Sequence, residues 1–212
     1  MSVQGDAIDR ILHGVRVMPV VVIDSADDAV PLANALLEGG LNAIEVTLRT
    51  EAAIEAVAAI RSDVPDMIVG TGTVLTPADL ARSAKAGAVF AVSPGLTRTL
   101  ATAAQEMVST LPLLPGTASA SEVMHGLEAG FTRLKFFPAE AAGGLPLLKS
   151  LGSPLPQAKF CPTGGISVKT APDYLAQSNV FCVGGSWLTP KNIVAEGNWA
   201  EITRLAKEAS AL

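Results

Sequence analysis

The chain has 212 residues, of which 49% are hydrophobic and 17% charged, with a formal net charge of -5. That length suits a single α/β barrel, and so apolar a composition excludes a disordered chain. The acidic balance excludes nonspecific nucleic-acid binding, which needs a basic face, but leaves room for an anion site built from backbone amides.

The opening MSVQGDAIDR has neither a basic segment nor an apolar core, so no signal peptide and a cytoplasmic location are expected. No apolar run approaches the roughly 18 residues of a membrane span. Strand-like runs then follow one another: VMPVVVI (17–23), NAIEV (42–46), DMIVGTG (66–72), AVFAVS (88–93), LPLLPG (111–116), TRLKFFP (132–138), KFCPTGG (159–165) and VFCVGG (180–185). Between them lie helical segments with start and stop residues. SADDAVPLANALLEGG begins on Ser or Asp and ends on Gly; TPADLARSAKAG offers Thr76 as cap and Pro77 at the first helical position; SASEVMHGLEAG has Ser119 or Ser121 as its cap.

Continuous apolar strands alternating with helices imply a parallel sheet covered on its outer face. Eight such units, with no linker or charge block, favour one closed (β/α)8 TIM barrel over residues 1–212. An open doubly wound sheet is the alternative, and the strand count argues against it. In such a barrel the active site lies at the C-terminal mouth. Here the strand ends read EVTLRT, GTGTV, SPG, PGT, KFFPAE, PTGG and GGSW, collecting the polar and glycine residues.

Strand alternation puts Lys135 on one face with Arg133 and Phe137, and Leu134 and Phe136 on the other. Lys135 then points into the barrel near its mouth. Enclosure disfavours an ammonium ion, and a neutral amine can attack a carbonyl to give a Schiff base. A structural lysine paired with a carboxylate is the competing reading. Glu45 and Arg49 share a face at the end of the second strand. Arg49 suits a substrate carboxylate and Glu45 suits proton transfer; an interior ion pair of Glu45 with Arg49 or Lys135 stands beside that reading. Thr71 and Thr73 close the third strand and are candidate hydroxyl donors or turn residues. Gly164 and Gly165, then Gly184 and Gly185 with Ser186, end the seventh and eighth strands, where barrels commonly hold phosphate. Ordinary turn glycines are the alternative there.

No nucleotide fingerprint accompanies these loops, because GTGTVL lacks the later glycine of GxGxxG. Cys161 and Cys182 lack CxxC spacing and read as buried reduced thiols. His13 and His125 fall in predicted helices away from the mouth, so no metal is expected.

EVTLRT, GTGTVL, SPGL, LKFFPAE, CPTGGIS and GGSWL, in that order along nearly the whole chain, closely resemble the 2-dehydro-3-deoxy-6-phosphogluconate (KDPG) aldolases. These are class I lyases also assigned 4-hydroxy-2-oxoglutarate aldolase activity. The resemblance implies a (β/α)8 barrel, usually a homotrimer, with no metal or other cofactor and a small phosphorylated 2-oxo sugar acid as substrate. It implies Lys135 as the Schiff-base lysine, Glu45 as acid/base and Arg49 as the carboxylate-binding arginine. Thr73 and Thr163 match substrate-contacting positions, and phosphate falls to the amides around Gly164, Gly165, Gly184 and Gly185 with Ser186. The galactonate-type relatives tend to replace the PTGG threonine, so Thr163 favours the gluconate substrate over its C4 epimer. A metal-dependent lyase and a noncatalytic phosphate- or oxo-acid-binding barrel are the remaining rivals. The chain departs from many relatives in two places: Ile23 and Asp24 stand where a basic residue commonly ends the first strand, and PGTASASE replaces a PGxST-type loop.

Overall fold

The computed structural model describes residues 2–212. Its strands are β1 (Val17–Val21), β2 (Ala43–Thr47), β3 (Ile68–Gly72), β4 (Phe90–Val92), β5 (Leu113–Leu114), β6 (Gly116–Thr117), β7 (Arg133–Phe136), β8 (Lys159–Pro162) and β9 (Val183–Gly185). The helices are α1 (Val3–Ile11), α2 (Ala29–Glu38), α3 (Ala53–Asp63), α4 (Pro77–Lys85), α5 (Arg98–Glu106), α6 (Ala120–Glu128), α7 (Ala139–Ala142), α8 (Gly144–Gly152), α9 (Ala171–Leu175), α10 (Lys191–Ala195) and α11 (Trp199–Ser210).

Each strand pairing is parallel, in the orders β5-β4-β3-β2-β1-β9 and β6-β7-β8. Two bridges, Phe160 with Val180 and Thr163 with Gly184, join the β8 and β9 segments. At the other seam β5 and β6 are halves of one strand interrupted at Pro115. Proline has no N–H to give the ladder, yet its carbonyl still accepts from the Lys135 amide at 2.8 Å. The ring therefore closes with eight strand positions, an α/β barrel and not an open sheet.

Local chemistry explains where the outer helices begin. The Thr76 hydroxyl accepts from the Asp79 amide while the Asp79 carboxylate accepts from the Thr76 amide, and Pro77 opens α4. Ser119 and Glu122 form the same reciprocal box ahead of α6, so Ser119 and not Ser121 is the cap. Ser25 caps a short 3-10 turn (Ala26–Asp28) that leads into α2. Each such cap contributes about 1 kcal/mol.

Two apolar clusters result. The larger lies between the outward strand faces and the helices, and includes Leu134, Phe136 and Phe160, all fully buried. The smaller fills the lower barrel with Met18, Ala43, Phe90, Val92, Leu114, Cys161 and Cys182, closed by Ile8 and Leu12 near the N-terminus. Burying each large aliphatic or aromatic side chain stabilises the fold by about 1.5–3 kcal/mol. Helix α1 is thus a plug across the bottom. Gln4 fixes it, donating to the Ala104 carbonyl at 2.7 Å and accepting from the Leu113 amide at 3.1 Å. His125 lies in α6 as expected, whereas His13 falls in the turn just past α1, because the helix ends at Ile11.

Candidate active site

The inward face of β7 carries Arg133 and Lys135, and the outward face carries Leu134 and Phe136, as the two-residue strand period requires. Lys135 is only 6% exposed. Its Nζ donates to Glu45 Oε1 at 3.1 Å and lies 3.4 Å from Oε2. Glu45, from β2, is 3% exposed, and β2 and β7 stand on opposite sides of the ring, so the pair spans the lumen. Of the two pairings open to Glu45, the structure contains the one with Lys135.

The contact depends on a missing side chain. A methyl group at Gly72, beside Glu45 on neighbouring β3, would sit 2.2 Å from Glu45 Oε1. Only glycine leaves the carboxylate its place. The two phenylalanines after Lys135 divide the work of the strand end. Phe136 packs outward, edge-on to Phe160 with ring centroids 6.3 Å apart. Phe137 turns inward, its ring centroid 5.2 Å from Lys135 Nζ.

Arg49 lies beyond the end of β2, exposed at the mouth, and its Nε donates to the Thr73 hydroxyl at 3.3 Å. Thr73 has φ of 59°, a conformation that favours glycine and costs a threonine of order 1–2 kcal/mol. No carboxylate lies within ion-pair distance of Arg49 among the described residues. Thr71 takes no part here: it is buried on the outer side, where its hydroxyl donates to Ser83 Oγ of α4 at 2.9 Å. Thr47 likewise serves the barrel, donating to the Val21 carbonyl at 2.9 Å.

The glycine loops stand side by side. Thr163 bridges to Gly184, and a methyl group at Gly184 would lie 2.3 Å from Thr163 Oγ1. Gly184, in the middle of β9, therefore makes room for a buried threonine. Gly164 and Gly165 have φ of 100° and 82°, values that L side chains rarely adopt. The loop is laced to the end of the lysine strand: Ala139 donates to the Thr163 carbonyl at 2.8 Å, and Glu140 to the Gly164 carbonyl at 3.1 Å. Phe137 and Pro138 are joined by a cis peptide. Ser186 is exposed at the end of β9.

The two departures from the family pattern have structural accounts. Ile23 is fully buried, and the exposed Asp24 pairs with Lys191 at 3.4 Å, so the cation beside the first strand comes from the segment after β9. In PGTASASE, Thr117 is buried with its hydroxyl 3.3 Å from the Lys135 carbonyl, and Ser119 caps α6.

Below the pair lie Cys161 and Cys182, both buried and unbridged. Burial pushes the Cys182 thiol well up, and the neighbouring Cys161 adds to this. A thiol held protonated is a poor nucleophile. Among the described residues no group of three or more His, Cys, Asp or Glu could hold a metal ion.

Composition and spacing pointed to Lys135, Glu45, Arg49, Thr73 and the glycine loops, the family resemblance added Thr163, and the structure gathers them at the upper lumen and rim. They did not point to Gly72, to Tyr174 or to the side chain of Glu140. A glycine beside two threonines at a strand end was the one available signal for the first. Tyr174 belongs to α9, yet its hydroxyl donates to Glu140 Oε1 at 2.6 Å beside the Gly164–Gly165 loop.

Residues 8–205 match the family model described as KDPG and KHG aldolase. The KHG/KDPG aldolase of Escherichia coli (strain K12) is 51% identical over 201 residues, which cover 95% of this chain and 93% of that protein. A crystal structure of KDPG aldolase from Legionella pneumophila, with pyruvate captured at low pH as a covalent carbinolamine intermediate, superposes with a TM-score of 0.90. It is 49% identical and covers 93% of this chain and 95% of that one. The 2-keto-3-deoxy-6-phosphogluconate aldolase of Zymomonas mobilis ZM4, solved with 3-phosphoglycerate, also gives 0.90, at 50% identity, with 96% and 95% covered. This chain belongs to the KDPG and KHG aldolase family.

Proposed function

We propose that this barrel is a class I aldolase that cleaves 2-dehydro-3-deoxy-6-phosphogluconate to pyruvate and glyceraldehyde 3-phosphate, and 4-hydroxy-2-oxoglutarate to pyruvate and glyoxylate. The observation that carries this reading is the enclosed Lys135–Glu45 contact, 3.1 Å long, beneath a rim with Arg49 on one side and two glycine loops on the other. Interior lysines that exist only to be paired need no open rim above them. The covalent pyruvate in the Legionella relative supports the same chemistry.

Passage of an ammonium proton from Lys135 to Glu45 leaves a neutral amine, which adds to the C2 ketone. Glu45 returns the proton as the carbinolamine loses water, giving a protonated imine. Glu45, again a carboxylate, takes the C4 hydroxyl proton. The C3–C4 bond then breaks, its electrons pass to the iminium as an enamine, and glyceraldehyde 3-phosphate departs. Protonation at C3 and attack of water at C2 release pyruvate and restore Lys135. Arg49, with Thr73 and Thr163, holds the substrate carboxylate. The amides of Gly164, Gly165, Gly184 and Gly185, with Ser186, hold the phosphate.

The whole chain works as one barrel domain in this reading, and three copies assemble. Light scattering on the purified protein measures the assembly directly. The decisive experiment incubates the protein with pyruvate and borohydride and maps the reduced adduct by mass spectrometry. A pyruvyl adduct on Lys135 is expected; an adduct on another lysine, or none, refutes the assignment. Comparing kcat/KM for the gluconate and galactonate acids then checks the C4 preference attributed to Thr163.

A further inference from the structure

The Tyr174 hydroxyl sits where three segments converge, and nothing in the chemistry above uses it. Its ring is 1% exposed in α9, but the hydroxyl reaches Glu140 Oε1 at 2.6 Å. A methyl group at Gly144, the first residue of α8, would lie 3.4 Å from Glu140 Oε2 and 3.5 Å from the tyrosine oxygen. The carboxylate therefore rests at the N-terminus of a nine-residue helix, where the partial positive charge favours it. Its stem runs the other way. A methyl group at Gly165 would lie 2.7 Å from Glu140 Cγ and 2.8 Å from its Cβ. The same residue's amide holds the Gly164 carbonyl at 3.1 Å.

We propose that Tyr174 and Glu140 are positioning residues for phosphate: Tyr174 anchors the head of Glu140 so that its stem braces the Gly164–Gly165 amides in their anion-binding arrangement. The inference rests on the assignment of phosphate to those loops. Burial first, then the Glu140 bond and charge, push the Tyr174 hydroxyl upward, so it stays a donor throughout the neutral range. The tether serves a second end as well. A carboxylate free to swing over the loop would repel a phosphate dianion, and the tyrosine and helix terminus hold it away.

Tyr174→Phe keeps the buried ring and deletes only the anchoring oxygen, so the barrel is expected to fold. In steady-state assays KM for the phosphorylated acid should rise roughly tenfold with kcat within twofold of wild type, since small displacements of binding groups are costly. KM for 4-hydroxy-2-oxoglutarate, which has no phosphate, should not change. Glu140→Gln retains the stem and an oxygen that accepts the tyrosine bond, and should stay within about threefold of wild type on both substrates. Glu140→Ala removes both and should match or exceed Tyr174→Phe. Equal losses on both substrates in Tyr174→Phe, or an unchanged KM for the phosphorylated acid, would overturn the proposal. Should wild type itself show no preference for the phosphorylated acid, the phosphate assignment of the loops fails first and this inference with it.

Discussion

Two cations stand on the same inward face of β7, and each has a carboxylate, yet they do opposite things. At the bottom, Arg133 meets Asp9 of α1 through two nitrogens, Nε at 2.6 Å from Oδ1, with side chains 21% and 42% exposed. At the top, Lys135 meets Glu45 through one nitrogen, with side chains 7% and 3% exposed. A guanidinium never gives up its proton and grips a carboxylate in a planar fork. An ammonium ion is a compact charge that can lose its proton to a close carboxylate. The lower pair therefore clamps a helix to the barrel, whereas the upper pair has the chemistry that the proposed proton exchange requires. Distance along one strand separates a fastener from the proposed catalyst.

The widest gap between the two should open on Lys135→Met. The proposed nucleophile is gone, so aldol cleavage should fall on the order of 10⁴-fold or more. Glu45 is left buried without its partner, which costs about 3–5 kcal/mol when a buried pair is broken from one side. Adding Glu45→Gln to that variant removes the stranded charge. Chemical denaturation should then show most of the lost stability regained, while activity stays absent. A double variant no more stable than Lys135→Met would mean that Glu45 is not held in place by charge.

Glu45→Gln alone separates proton transfer from covalent capture. Its kcat should drop about 10²–10⁴-fold, the usual worth of a positioned acid/base. Borohydride with pyruvate should still label Lys135, more slowly than in wild type. Turnover at the wild-type rate would reduce Glu45 to a structural partner, and the upper pair would then resemble the lower.

Asp9→Asn tests the other end of the comparison. The Asp9–Arg133 pair is partly solvated, so its loss should cost only about 1 kcal/mol, lowering Tm by about 2–4 °C in a chain of this size. kcat and KM should be those of wild type, because the bottom plug touches nothing at the mouth. A fall in kcat with an intact fold would show that the two ends of the barrel are coupled.

The mouth was legible in the sequence because strand period and strand ends are local properties. Lys135, Glu45 and Arg49 can each be placed by counting residues within one segment. The eight strands were legible for the same reason, although Pro115 splits the fifth into β5 and β6 where a continuous run was expected. What escaped is non-local. Nothing near Asp9 says that it will meet Arg133, and nothing in APDYL says that Tyr174 will reach Glu140 from another helix. Gly72 escaped because its purpose is the volume it leaves for Glu45, a residue on a different strand. The choice between Ser119 and Ser121 as cap was local and legible, because only Ser119 has a glutamate, Glu122, three residues on to complete a capping box.

The outer helices supply a third kind of carboxylate, bound to backbone and not to a cation, and the smallest expected effect. The Ala118 amide is the chief cause holding the Glu122 carboxyl below its usual 4.5, with the Ser119 hydroxyl and amide assisting against partial burial. A group whose folded value is depressed adds stability that is present above the unfolded value and fades as pH falls through the folded one. Glu122→Gln removes that linkage, since an amide does not titrate there. Stability of wild type should therefore decline on acidification below about pH 4.5 slightly more steeply than that of the variant. At neutral pH the variant should be slightly less stable, with kcat and KM unmoved, because α6 caps lie outside the lumen. Parallel acid limbs in the two proteins would mean that the backbone bonds hold the neutral acid as well as they hold the carboxylate. The capping box would then contribute geometry to α6 but no charge.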